Sequence, residues 1–171
     1  MKNNKSKTKI WIAGHNGMVG SAILRNLKRK KLNLLTVSKD KLDLRVQNDV
    51  EEWLGKNKPD IIFMAAARVG GILENNNYPA DFISENLQIQ TNVITSAFKI
   101  KVKKIIFLGS ACVYPISNKP IKETDLLSGH LEPTNRAYSV AKIAGIEMCR
   151  FFSQQYGLID TDVAKKKFSS N

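Results

Sequence analysis

Lys9-Ile-Trp-Ile-Ala-Gly14-His-Asn-Gly17-Met-Val-Gly20 sets a short apolar run directly against three glycines spaced three residues apart. The first five residues read as a strand, and after the glycines Met18, Val19, Ala22, Ile23 and Leu27 return at helical spacing. A strand that turns at once into a helix leaves the first N–H groups of that helix unbonded and aimed at whatever lies over the turn. Gly14 then permits the tight turn, Gly17 lets backbone approach an anion, and Gly20 lets helix pack on strand. Glycines fall at this spacing by chance. The strand before, the helix after and a second apolar run, Leu34-Leu-Thr-Val37, make this occurrence specific. The turn reads as a seat for the pyrophosphate of a dinucleotide, held by Gly14, Asn16, Gly17, Met18, Val19 and Gly20.

Working outward, apolar runs and helical patterns continue to alternate, which is how βαβ units build a parallel sheet. A short helix is expected over 50–54 and a third strand over Asp60-Ile-Ile-Phe-Met64, opened by Lys58-Pro59. A long helix follows from about residue 80 to 99, then a fourth strand over Lys104-Ile-Ile-Phe-Leu108 and a helix over 138–156. The four apolar residues of the fourth strand suit a position covered on both faces. The fold class predicted is α/β, a Rossmann-like doubly wound parallel sheet. Residues 1–8 read as a basic tail, 9–157 as the nucleotide-binding domain, and 158–171 as a divergent polar and basic tail that frays beyond Gly157, the glycine expected to end the last helix.

The chain has 171 residues, 43% hydrophobic and 25% charged, the composition of one globular domain. Its formal charge of +12 raises the question of a polyanionic partner. The lysines and arginines gather in the leading tail, in Lys28-Arg29-Lys30-Lys31, around Lys99 to Lys104 and in Lys165-Lys166-Lys167. Those are helix ends and tails, where cations are favoured by the helix dipole and solvation, and no nucleic-acid motif accompanies them. Nucleic acid is therefore not an expected partner. No run reaches the ~18 apolar residues of a membrane span, and the leading segment lacks an apolar secretory core. The two cysteines, Cys112 and Cys149, fit no metal-ligand spacing, so a cytoplasmic protein without a metal centre is expected.

At the end of the second strand, an NAD site usually offers Asp or Glu to the ribose 2′-hydroxyl. Here the stretch is Val37-Ser-Lys-Asp40. Ser38 and Lys39 suit a 2′-phosphate and favour NADP(H), although Asp40 stands beside them. Asp43-Leu44 reads either as a hold on the adenine edge or as an ordinary polar turn. Ala65 and Ala66, following the third strand, are small enough to let backbone lie against a ribose, or simply to pack tightly against a helix.

The fourth strand delivers Gly109-Ser110-Ala-Cys112-Val-Tyr-Pro115, and the last helix carries Tyr138-Ser-Val-Ala-Lys142. Residues four apart share a helix face, so an ammonium at 142 can support ionisation of a phenol at 138. A serine at the carboxyl end of the neighbouring strand lies where open α/β sheets place their ligands.

These residues resemble the Ser-Tyr-Lys set of the short-chain dehydrogenases. From about Lys9 to Gly157 the sequence resembles the GDP-L-fucose synthase family of the extended short-chain dehydrogenases/reductases, through Gly-His-x-Gly-Met-Val-Gly, Ala67-Arg-Val-Gly-Gly-Ile72, Asn76-Asn-Tyr-Pro-Ala-Asp-Phe82 and Glu132-Pro-Thr-Asn135. The resemblance implies NADPH-dependent epimerisation at C3 and C5 of GDP-4-keto-6-deoxy-D-mannose, then reduction at C4, by a homodimer when the family chain is full-length. It implies Tyr138 as proton donor to the C4 oxygen, Lys142 as support of that phenol and of the nicotinamide ribose, Ser110 as carbonyl ligand and Cys112 as an acid/base of the epimerisation. Cys149 is assigned to packing. His15 and His130 inherit no role, because the family's epimerising histidine lies beyond the Tyr-Lys helix.

The family continues past this helix into segments that grip the nucleotide sugar, whereas residues 160–171 depart from its pattern. The expectation is a sheet truncated before the substrate domain, with an uncovered edge and little turnover. Two other readings stay open: another nucleotide-sugar epimerase or dehydratase of the same superfamily, and a non-catalytic nucleotide-binding module.

Overall fold

The computed structural model describes residues 8–30 and 32–157, together with the backbone of residues 160–163. Nearly all of the expected basic tail at 1–8, Lys31 of the basic cluster, and residues 158–159 and 164–171 of the expected carboxyl tail lie outside the described residues. Five strands, β1 (Lys9–Ala13), β2 (Asn33–Leu35), β3 (Ile61–Met64), β4 (Lys104–Phe107) and β5 (Asp160–Val163), form one sheet in the order β2-β1-β3-β4-β5. Every pair is parallel, with Trp11 beside Ile62, Ile62 beside Ile105 and Ile105 beside Thr161. The helices between them are α1 (Met18–Lys28), α2 (Gln47–Asn57), α3 (Ile72–Asn77), α4 (Pro79–Lys99) and α5 (Arg136–Tyr156).

Period-two alternation sorts the strand side chains into two sets. Trp11, Ala13, Ile62, Met64, Ile105 and Phe107 share one face and meet Val50 and Leu54 of α2, Val93, Ile94 and Ala97 of α4, and Ile143, Ile146 and Cys149 of α5. All of these are buried, each large side chain adding about 1.5–3 kcal/mol of transfer free energy. Trp11 and Trp53 stack with centroids 4.6 Å apart, so α2 is locked on β1. On the opposite face Ile10 and Ile12 are buried, whereas Ile61, Phe63 and Ile106 are only half-buried.

One expectation is corrected. Residues 158–171 read as a frayed tail, yet residues 160–163 form β5, an added strand on the free side of β4. Asp160-Thr-Asp-Val163 lacks the apolar alternation that announces a strand, because main-chain hydrogen bonds to β4 carry the pairing and no side-chain pattern is needed. Two smaller departures concern helices. α2 runs to both sides of the expected 50–54, and α3, with Ile72 and Leu73 exposed, carries no periodic signal at all. The buried Asn75 side chain holds α3 in place by donating to the carbonyls of Gly70 and Gly71, each at 3.0 Å. α5 ends at Gly157, as expected, with φ +62° and its N–H donated to the Ser153 carbonyl at 2.9 Å.

Candidate active site

The chain leaves β1 and β3 at neighbouring carboxyl ends and runs to opposite sides of β1, the switch point at which open α/β sheets leave a crevice. A cavity of about 690 Å³ lies there, floored by the glycine turn and walled by residues 37–39, 42–45 and 65–69. Gly14 has φ +83°, and a Cβ on it would stand 2.6 Å from the Ala66 nitrogen. On Gly20 a Cβ would stand 2.1 Å from the Gly14 carbonyl oxygen. These two glycines let three backbone segments touch. Gly17 differs: its nearest foreign atom would be 3.4 Å away, so the absence of a side chain there keeps space open toward the cavity.

α1 begins beside that space with no side-chain cap and no acidic residue in its first turn. Its unbonded N–H groups therefore carry an undiminished positive end. Gly14, Asn16, Gly17, Met18, Val19, Ser38, Lys39, Ala65 and Ala66 all line the cavity, while Gly20 sits beneath the turn. Asp40 is not among the lining residues. The Ser38 hydroxyl bonds to its carboxyl and holds it below the usual carboxylate range. The cavity thus combines a glycine-floored anion seat with a hydroxyl and an ammonium at its far end, a donor set that fits a dinucleotide carrying an extra phosphate.

Two residues of this wall, Arg45 and Glu85, were not anticipated, nor was Asn86, which holds the wall residue Arg68. Arg45 grips Asp43 through Nε at 3.0 Å and Nη2 at 2.6 Å and reaches Glu85 at 3.3 Å, while Glu85 also pairs with Arg68. Hydrogen bonding from Arg45 brings the Asp43 carboxyl down to about 2. Asn86 clamps the backbone of Arg68, accepting from its N–H at 2.9 Å and donating to its carbonyl at 3.0 Å. Asp43-x-Arg45 is visible in the sequence as a local pair; Glu85 and Asn86 come from α4, forty residues on, and give no such signal.

The second cluster stands at the end of β4. Ser110 Oγ accepts from the Cys112 backbone N–H at 3.3 Å and bonds with the Tyr138 phenol. Burial pushes the Tyr138 phenol up, the charge of a Cys112 thiolate pushes it further, and the Ser110 bond draws it back. Ser110, Cys112 and Tyr138 are therefore gathered as expected. Lys142 is buried, and its Nζ donates to the Leu108 carbonyl at 2.9 Å, with the Tyr138 ring centroid 6.0 Å away. Burial brings its ammonium down to about 8. Tyr138 and Lys142, expected also to touch the cofactor, do not line the cavity beside the glycine turn. Asn135, which the sequence offered only as part of a motif, donates from Nδ2 to Cys112 Sγ at 3.5 Å. Cys149 lies in the core, its thiol pushed by burial to about 12. Among the described residues no group of three or more His, Cys, Asp or Glu is placed to hold a metal, and no helix is long and apolar enough to cross a membrane.

A parallel sheet with an anion-seating turn at its switch point defines a Rossmann-like dinucleotide-binding domain. The model of the NAD dependent epimerase/dehydratase family matches residues 10–161, and the chain belongs to that family. It is 51% identical over 150 residues to a GDP-L-fucose synthase of Sinorhizobium fredii, spanning 87% of this chain and 48% of that protein. Two solved structures from Campylobacter jejuni share its fold. The GDP-D-glycero-L-gluco-heptose synthase in the presence of NADPH is 40% identical with a TM-score of 0.86, over 93% of this chain and 48% of its own. The GDP-mannoheptose C4 reductase with NADP bound is 41% identical with a TM-score of 0.85, over 91% of this chain and 50% of its own. The chain spans about half the length of the curated relatives it matches.

Proposed function

We propose that this chain carries the NADPH-binding and proton-transferring part of an enzyme that converts GDP-4-keto-6-deoxy-D-mannose into GDP-L-fucose. The observation that carries the reading is the gathering of Ser110, Cys112 and Tyr138 at the end of β4, in a family member whose glycine turn floors a dinucleotide-sized cavity. NADPH would supply hydride to C4 of the sugar, its pyrophosphate held by the α1 start and its 2′-phosphate by Ser38 and Lys39. Ser110 donates to the C4 carbonyl oxygen. Tyr138 gives its proton to that oxygen as negative charge develops, and the Lys142 ammonium lowers the cost of the phenolate left behind. Before reduction, Cys112 exchanges protons at carbons beside the ketone, where the carbonyl makes C–H bonds acidic. As in the family resemblance, the acting form is a cytoplasmic homodimer that binds a nucleotide sugar.

A second reading, C4 reduction of a GDP-linked keto-sugar without epimerisation, is favoured by the 41% identity to the Campylobacter GDP-mannoheptose C4 reductase. It leaves Cys112 idle. Fluorescence titration tests the cofactor: NADPH binds tighter than NADH, and Lys39→Ala narrows the gap by about tenfold, the worth of a charge-assisted contact. Equal affinities for the two nucleotides would refute the assignment. Incubation in heavy water with NADPH and the keto-sugar separates the readings, since only epimerisation carries deuterium into C3 and C5 of the product.

A further inference from the structure

Asn135 occupies the N-cap position of α5, where an asparagine side chain ordinarily accepts from the first helical N–H groups. It makes no such bond. The turn just ahead is capped by Glu132 instead, whose carboxylate accepts from the backbone N–H of Thr134 and of Asn135, each at 3.1 Å. The Asn135 side chain is thereby released from helix capping and turned toward β4. The fully buried Ser139 hydroxyl, on the next turn of α5, donates to the Asn135 backbone carbonyl and to its Oδ1, each at 3.1 Å. With Oδ1 on the Ser139 side, the amide nitrogen faces the other way, and Nδ2 lies 3.5 Å from Cys112 Sγ. Sulfur accepts that bond, so the amide fixes the direction in which the Cys112 side chain points. The backbone of Cys112 is held independently by the Ser110 hydroxyl oxygen, which leaves the sulfur's direction to Asn135.

We propose that Asn135, fixed by Ser139, is the positioning residue for Cys112: its amide donates to the sulfur and presents it as the acid/base of the sugar-proton exchange. The inference rests on the reading that Cys112 exchanges those protons. A thiolate at 112 also raises the Tyr138 phenol, so the bond from Asn135 bears on both chemical steps.

Iodoacetamide alkylation of the whole chain tests this without substrate, because Cys149 is 1% exposed and only Cys112 is reachable; Cys112→Ser supplies the blank. Asn135→Asp keeps the volume and the acceptor for Ser139 but removes the N–H donor. It lowers the alkylation rate at pH 8 by about tenfold, the worth of a hydrogen bond to a charged group. Asn135→Ala does the same, and Ser139→Ala gives a smaller loss. A carboxylate at 135 repels a thiolate by charge alone, so the Ala variant decides, and an Ala variant alkylated within twofold of the parent overturns the proposal. Should the variants fail to fold, the unsubstituted chain decides: the Asn135 side-chain amide resonances move with the same pH midpoint as the alkylation rate, and resonances indifferent to pH overturn it. Failure of the underlying reading looks different, with slow alkylation in the Ala variant but Cys112→Ser leaving deuterium uptake intact.

Discussion

Gly20 and Gly17 sit three residues apart in one turn yet answer to different constraints. A methyl on Gly20 would press on the Gly14 carbonyl at 2.1 Å, and neither backbone can yield. Gly20→Ala therefore costs about 2–3 kcal/mol or more in urea denaturation, at the upper end of overpacking. Gly17→Ala meets nothing closer than 3.4 Å, so it leaves the urea midpoint nearly unchanged while weakening NADPH binding. Lys142 gives a second residue-scale test, with a definite sign. Its folded value is about 8 against 10.5 when exposed, so between those limits the unfolded chain holds more protons and stability rises with pH. Cys149, raised from 9.0 to about 12, contributes the opposite slope above 9. The clean window is pH 8 to 9, where stability climbs by up to about 1.4 kcal/mol per unit, and Lys142→Met abolishes the climb. The groups proposed to react were legible in the sequence, since Ser110, Tyr138 and Lys142 follow from a strand end and a four-residue helical spacing. It did not show what orients them. That Asn135 faces sulfur and that Glu85 bridges two arginines depend on approaches between segments distant along the chain, which no local spacing encodes.

Among the elements, those with apolar periodicity were readable and those held by main chain were not. β1, β3 and β4 announce themselves because the core selects their buried side chains, and α4 and α5 because long stripes face that core. β5 has no such stripe, and its existence follows from the exposed N–H and C=O groups along β4. Hydrogen exchange by mass spectrometry checks it: amides within residues 160–163 exchange more slowly than an unstructured segment of the same composition, though faster than those of β1 and β3. Exchange at the random-coil rate would remove the strand from the fold.

Across the whole molecule, two clusters share one sheet. The glycine turn lies at the ends of β1 and β3, and the groups proposed to transfer protons gather between the end of β4 and α5, so the parallel sheet itself spaces them. A ligand bound only by the folded chain stabilises it by about 2.7 kcal/mol at one hundred times its dissociation constant. At this chain length that raises the thermal midpoint by about 5–10 °C. NADPH should produce such a rise and NADH a smaller one at equal concentration, measured by calorimetry. No rise with either nucleotide would separate the glycine turn from any cofactor role.

By bonding along the outer side of β4, β5 turns that strand from a margin of the sheet into an interior member. Margins breathe, opening and closing their bonds far more often than interior strands do. Ser110, the serine proposed to meet a carbonyl oxygen, therefore follows three residues behind a strand clamped from both sides.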